Sequence, residues 1–225
     1  MLIQTKQLTK TYKDGKTFIT ALGGINLSIK KGEFVAITGR SGSGKSTLFH
    51  QIGLIDKPTS GTLIINGTNA LILTEKEKTS FRLKHIGYIF QDYALIPTLT
   101  ALENIILPLL MAGISRAKAN TIAMQTLASV GLEGREKHLP SELSGGEQQS
   151  VSIARAISHN PTLILADEPT ANLDNESSLR IMNIFKSLKS RDITVIIITH
   201  ENEYAKMTDR IITLFDGRIE KEEDN

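Results

Sequence analysis

Hydrophobic positions follow two rhythms along this chain. Residues 2–8 and 25–29 read as strands that alternate in period two, most plainly at Ile25, Leu27 and Ile29, the period of a strand with one buried face. Lys13-Asp-Gly-Lys16 between them reads as a hairpin-like turn, and residues 62–65 before Asn66-Gly67 as a further short strand. Residues 34–37, 86–90, 162–166 and 193–199 are instead apolar in nearly continuous runs, as strands buried on both faces are. A last strand is predicted near residues 210–215.

Helical spacing fills the intervals. Residues 74–84 read as a polar surface helix. Ala119, Ile122, Ala123, Leu127 and Val130 share one face of a helix that ends near Gly131. From Gly145-Gly146 a long helix runs to about His159, where Asn160-Pro161 breaks it, and another spans about 175–191. Strands separated by helices predict an α/β fold, a mostly parallel sheet covered on both faces, with an antiparallel β subdomain at the N-terminus. The helical stretch from about 92 to 150 interrupts that rhythm and reads as an inserted α-helical subdomain.

Composition narrows the class. A length of 225 residues is enough to bury a substantial core, as one large domain or two small ones. No run approaches the roughly 18 uncharged apolar residues of a membrane helix; the nearest, residues 105–114, is short and contains Pro108. The N-terminus lacks the apolar core of a signal peptide. Zero cysteines exclude disulfides and thiolate metal sites, which suits a reducing cytoplasm. A net charge of +2 makes no electrostatic case for nucleic acid, and the acidic tail, residues 220–225, reads as a frayed, solvated end.

Chemistry concentrates first in Gly39-Arg40-Ser41-Gly42-Ser43-Gly44-Lys45-Ser46-Thr47, which follows the strand at 34–37 and opens a helix. Gly, four residues, then Gly-Lys-Ser is the phosphate-loop pattern, so the sheet and its helices are expected to form a P-loop NTPase core. Glycines let the backbone fold into a nest of N–H groups, Lys45 reaches terminal phosphates, and the Ser46 hydroxyl suits Mg²⁺. Asp167 and Glu168 end an apolar strand, where open parallel sheets bind ligands. Asp167 would hold the metal and Glu168 would orient or deprotonate the attacking water. His200 closes the next strand at the same edge, placed to donate to developing negative charge. Tyr12 offers an aromatic face for adenine, and Gln91 opens the helical insertion.

Ser144-Gly145-Gly146-Glu147 admits two readings. It is a capping box, yet two glycines in a first turn cost about 1 kcal/mol each. That penalty is explained if the amides approach a phosphate closely. Should this second nest not share the first nest's nucleotide, it would meet the nucleotide of a second copy of the chain, giving a two-fold dimer with ATP between subunits.

Together these segments resemble the ATP-binding cassette family over essentially the whole chain, residues 1–225 as a single domain. The resemblance sets Tyr12 at the adenine-stacking position, residues 39–47 as the Walker A loop and Gln91 as the Q-loop, a metal and water neighbour. It makes residues 143–148 the signature, 163–168 the Walker B strand, Asp174 the end of the D-loop and His200 the switch histidine. It implies ATP and Mg²⁺ as cofactors and a homodimer closing on ATP. It also implies docking, through residues 91–97, on an integral membrane permease, with the chain peripheral on the cytoplasmic face of the cell membrane. Residues 86–104 with Leu107-Pro108-Leu109 look like the lipoprotein-release, macrolide-export and antimicrobial-peptide-resistance branch. Ser150 departs from the family's usual arginine. A permease-free ABC ATPase, or a regulator of an extracytoplasmic enzyme, is the competing expectation.

Overall fold

The alternating N-terminal segments pair with each other. In the computed structural model, which describes every residue except Lys16 and only the backbone of Asp14, β1 (Ile3–Asp14) runs antiparallel to β2 (Thr17–Ile29). The turn expected at residues 13–16 runs into Lys16 and lies outside the described residues. Next come β3 (Phe34–Gly39), α1 (Lys45–Ile52), β4 (Ser60–Ile65), β5 (Thr68–Asn69), α2 (Glu75–His85) and β6 (Ile86–Ile89). Three helices then follow without a strand: α3 (Ala101–Met111), α4 (Arg116–Ser129) and α5 (Gly145–Ile157). The chain finishes with β7 (Leu163–Asp167), α6 (Asn175–Leu188), β8 (Thr194–Ile198), α7 (Asn202–Ala205), β9 (Arg210–Phe215) and β10 (Arg218–Asp224).

Two sheets result. One is antiparallel, in the order β2-β1-β4-β5; the other has the order β10-β9-β3-β8-β7-β6 and is parallel except for its β9–β10 edge. The α/β architecture expected from the apolar runs is therefore present. Those runs do alternate, but between two buried faces. Phe34, Ala36, Ile164, Ala166, Val195 and Ile197 face the core shared with α3 to α6. Val35, Ile37, Leu163, Leu165, Ile196 and Ile198 face the core shared with α1 and the antiparallel sheet. Period-two burial is invisible in sequence when both faces need apolar side chains.

Helix starts are specified locally. Thr74 with Glu77, Thr100 with Glu103 and Ser144 with Glu147 each form a reciprocal capping box. Pro108 lies inside α3 without ending it. The acidic tail differs from its expected frayed state: residues 218–224 pair with β9, and Arg210 binds Glu222 at 2.8 Å and Glu33 at 2.8 Å. Cross-strand ladder bonds and that arginine outweigh the tail's own charge repulsion.

Close approach sets one glycine. Gly87 in β6 is buried, and a Cβ there would collide with the Ala156 carbonyl of α5 and the Ile164 side chain. Gly87→Ala should therefore cost about 1–3 kcal/mol, read as a lowered urea midpoint; an unchanged midpoint would show that α5 is free to shift away from the sheet.

Candidate active site

Between β3 and α1 the chain curls tightly. Gly39, Gly42 and Gly44 have φ of 141°, 77° and 99°, a region that glycine enters without penalty. Space demands glycine too, because a Cβ on Gly39 would meet the Leu214 carbonyl and one on Gly44 the Ala21 carbonyl. Gly44 caps α1 and no side chain bonds to the helix's first N–H groups. Those amides and the helix dipole make a cradle for an anion. Lys45 folds back on the loop, its Nζ 2.8 Å from both the Gly39 and Arg40 carbonyl oxygens. Ser43 is buried with its Oγ unpartnered, whereas Ser46 is exposed.

The loop lines a cavity of about 540 Å³, formed by Gly39, Arg40, Ser41, Gly42, Gly44, Lys45, Ser46 and Thr47 with Ala21, Glu168 and His200. Parallel pairing of β7 with β8 brings the last two to the same edge of the sheet. Glu168 takes φ 44°, uncommon for a side-chain-bearing residue, and its N–H donates to the Ile198 carbonyl at 3.0 Å. That twist faces its carboxylate toward His200, whose Nδ1 lies 3.1 Å from Glu168 Oε1. The His200 side chain is 62% exposed and that of Glu168 only 22%. Asp167, half-buried, has its carboxyl pKa pushed up by burial and then by the neighbouring Glu168 charge, against the pull of His50 and Lys45.

Ser144, Gly145, Gly146, Gln91, Asp174, Tyr12 and Asp167 are not among the residues that line this cavity. Ser144 caps α5, with its Oγ accepting from Glu147 N–H at 3.3 Å. Gly146 has a packing reason of its own, since a Cβ would press on Ser177 Oγ and Arg180 of α6. Phosphate approach is therefore not the sole explanation for the glycine pair. Asp174 caps α6 by accepting from Ser177 N–H at 2.9 Å. Ser150 is wholly buried and donates its hydroxyl to the Gly146 carbonyl one turn back, at 2.9 Å.

Several contacts escaped the reading of the sequence. Ala21 reaches the phosphate loop from β2. The loop after Gln91 is left-handed at Tyr93 and Ala94, and Arg155 of α5 holds both carbonyls with its guanidinium. Asn172 Nδ2 donates to the Gln91 carbonyl at 3.2 Å. No local pattern announces such bonds between distant segments.

A profile of the family described as "ABC transporter" matches residues 22–171. The ABC transporter ATP-binding protein MJ0796 of Methanocaldococcus jannaschii is 47% identical over 230 residues, 99% of this chain and 97% of that protein. The lipoprotein-releasing system ATP-binding protein LolD of Geobacter metallireducens is 44% identical over 219 residues, 97% of each. A dimeric post-hydrolysis structure of the MJ0796 cassette bound to ADP and Pi superposes with a TM-score of 0.91 at 45% identity, covering 99% of this chain and 98% of that one.

Lys45→Ala removes the cation that the loop gathers. It should abolish detectable binding of magnesium ATP in calorimetry while the thermal transition stays near the parent's; retained heat of association would displace the phosphate from this loop.

Proposed function

The chain belongs to the ABC transporter family, and we propose that it is the ATP-hydrolysing subunit that drives a separately encoded membrane permease by closing on ATP as a dimer. One observation carries the hydrolytic part: Glu168 and His200 line the phosphate-loop cavity and touch each other at 3.1 Å. A carboxylate oriented by a histidine at the end of a triphosphate is placed to hold a water and take its proton. His200, largely exposed, presents its other ring nitrogen to charge that develops on the terminal phosphate.

Residue roles follow from position. The amides from Gly39 to Thr47 cradle the phosphates and Lys45 neutralises the β and γ groups. The donors present fit Mg²⁺: the Asp167 carboxylate, made costly to ionise by burial beside Glu168, gains from a divalent neighbour, and Ser46 adds a hard hydroxyl oxygen. With Gln91 close by in the family's arrangement, that ion would supply charge neutralisation on the phosphate oxygens. Tyr12 would stack on the adenine.

Ser144, Gly145, Gly146 and Asp174 do not line this chain's own cavity, which supports their service to the nucleotide of a second copy. The post-hydrolysis structure of the MJ0796 cassette, a dimer bound to ADP and Pi, agrees with that arrangement. The helical stretch at residues 92–150, within a single domain of residues 1–225, would carry the closing motion to a permease at the cytoplasmic face of the membrane. None of the described helices is long and apolar enough to cross a membrane. Kinship with LolD supports a permease of the lipoprotein-release or macrolide-export type.

Glu168→Gln keeps the side chain's size and removes its basicity. Turnover should fall by about 10²–10⁴-fold while ATP-dependent dimerisation, followed by light scattering, persists; near-normal phosphate release would remove Glu168 from its role, and monomers alone would remove the dimer with ATP between its subunits.

A further inference from the structure

Tyr12 is held from several directions. Its hydroxyl donates to Asp56 Oδ2 at 2.9 Å. The Lys10 ammonium sits 4.7 Å from the ring centroid and donates to Asp56 Oδ1 at 2.7 Å. Asp56 accepts two more bonds, from Gln51 Nε2 at 3.2 Å and from the Lys57 N–H at 2.7 Å. Its own N–H donates to the His50 carbonyl at 3.3 Å. Four donors therefore meet one carboxylate, close to all that its lone pairs accept. Gln51 and His50 belong to α1, and Gln51 is fully buried. The tyrosine is thus braced, through a single carboxylate, to the helix whose first turn forms the phosphate loop.

Protonation favours the brace. Burial by itself would raise the Asp56 pKa, but bonds from Lys10, Tyr12 and the Lys57 N–H outweigh it and leave the carboxyl below its ordinary value. Burial and the bond to Asp56 push the Tyr12 phenol up, so it remains a donor. Lys10 attracts the ring's electrons from its own side by a cation–π contact. Tyr12 is still 40% exposed, and Ile19, opposite it in the β1–β2 ladder, is 53% exposed. An apolar platform is left open to solvent beside the loop.

We propose that Asp56, assisted by Lys10, is a positioning residue for nucleotide recognition: it fixes the Tyr12 ring relative to the phosphate loop, so that a purine nucleoside triphosphate is gripped at base and phosphates together. A free tyrosine gives up rotamer freedom when a base stacks on it; a braced one has given it up on folding. The bracing also sets a length between base and phosphate sites. This inference rests on the reading of residues 39–47 as a triphosphate site.

The test separates base from phosphate. Calorimetry with magnesium ATP, and displacement of ATP by inorganic tripolyphosphate, are run on the full chain, on Asp56→Ala, on Tyr12→Phe and on the double variant. Asp56→Ala should weaken ATP about tenfold and leave tripolyphosphate unaffected. Tyr12→Phe, which keeps the ring but not its anchor, should weaken ATP by a similar factor. The double variant should be no worse than either single one. Equal weakening of both ligands would reduce Asp56 to a support of α1 and overturn the proposal, as would unchanged ATP affinity or fully additive losses. If Asp56→Ala does not fold, Tyr12→Phe alone decides, by the same two ligands. A parent protein that binds neither ligand would instead refute the triphosphate site itself, before any variant is made.

Discussion

A nest of backbone amides facing one point is the constraint around which this molecule is organised. Such a turn cannot be satisfied by its own carbonyls, so it must stay open to an anion. From Gly39 to Lys45 the chain makes that turn, and carbonyls of β9 and β2 press so close that a methyl group on Gly39 or Gly44 would not fit. The lysine that ends the loop is bound to the loop's own carbonyls. A positive centre is thus built from main chain, helix dipole and one ammonium, with both sheets holding it in shape.

The parallel sheet then supplies chemistry to that centre at little structural cost. β3, β7 and β8 run the same way, so their carboxyl ends share an edge. Each end contributes something different: the loop itself, the pair Asp167 and Glu168, and His200. Alternation along the strand sends Asp167 toward α1 and Glu168 toward the cavity. The left-handed turn at Glu168 completes that separation.

Away from the cavity, single side chains tie loops to helices. Arg155 fastens the left-handed segment at Tyr93 and Ala94 to α5, and Asp56 fastens Tyr12 to α1. In both cases a charged group satisfies several partners at once, which favours one loop conformation over its neighbours. The helical layer between β6 and β7 is linked in this way to the loop that follows β6.

Much of this was legible in the residues alone. The glycine and lysine spacing at residues 39–45 reports backbone geometry directly, because few other residues tolerate it. The capping box at Ser144 marks its helix through contacts only three residues apart; those at Thr74 and Thr100 came to light in the folded chain. The apolar runs at 34–37, 162–166 and 193–199 declare two-sided burial. Tertiary structure alone decided the remainder: that residues 218–224 form an edge strand and not a loose acidic end, that Gly146 answers to α6, that Ala21 reaches the loop, and that Asp56 anchors Tyr12. The last three depend on partners far away in the chain, and the edge strand on its hairpin neighbour β9 and on Arg210, with no period or spacing to record them. Local propensity reaches as far as one turn or one pleat; a carboxylate and a phenol brought together across 44 residues are known to each other only once the chain has folded.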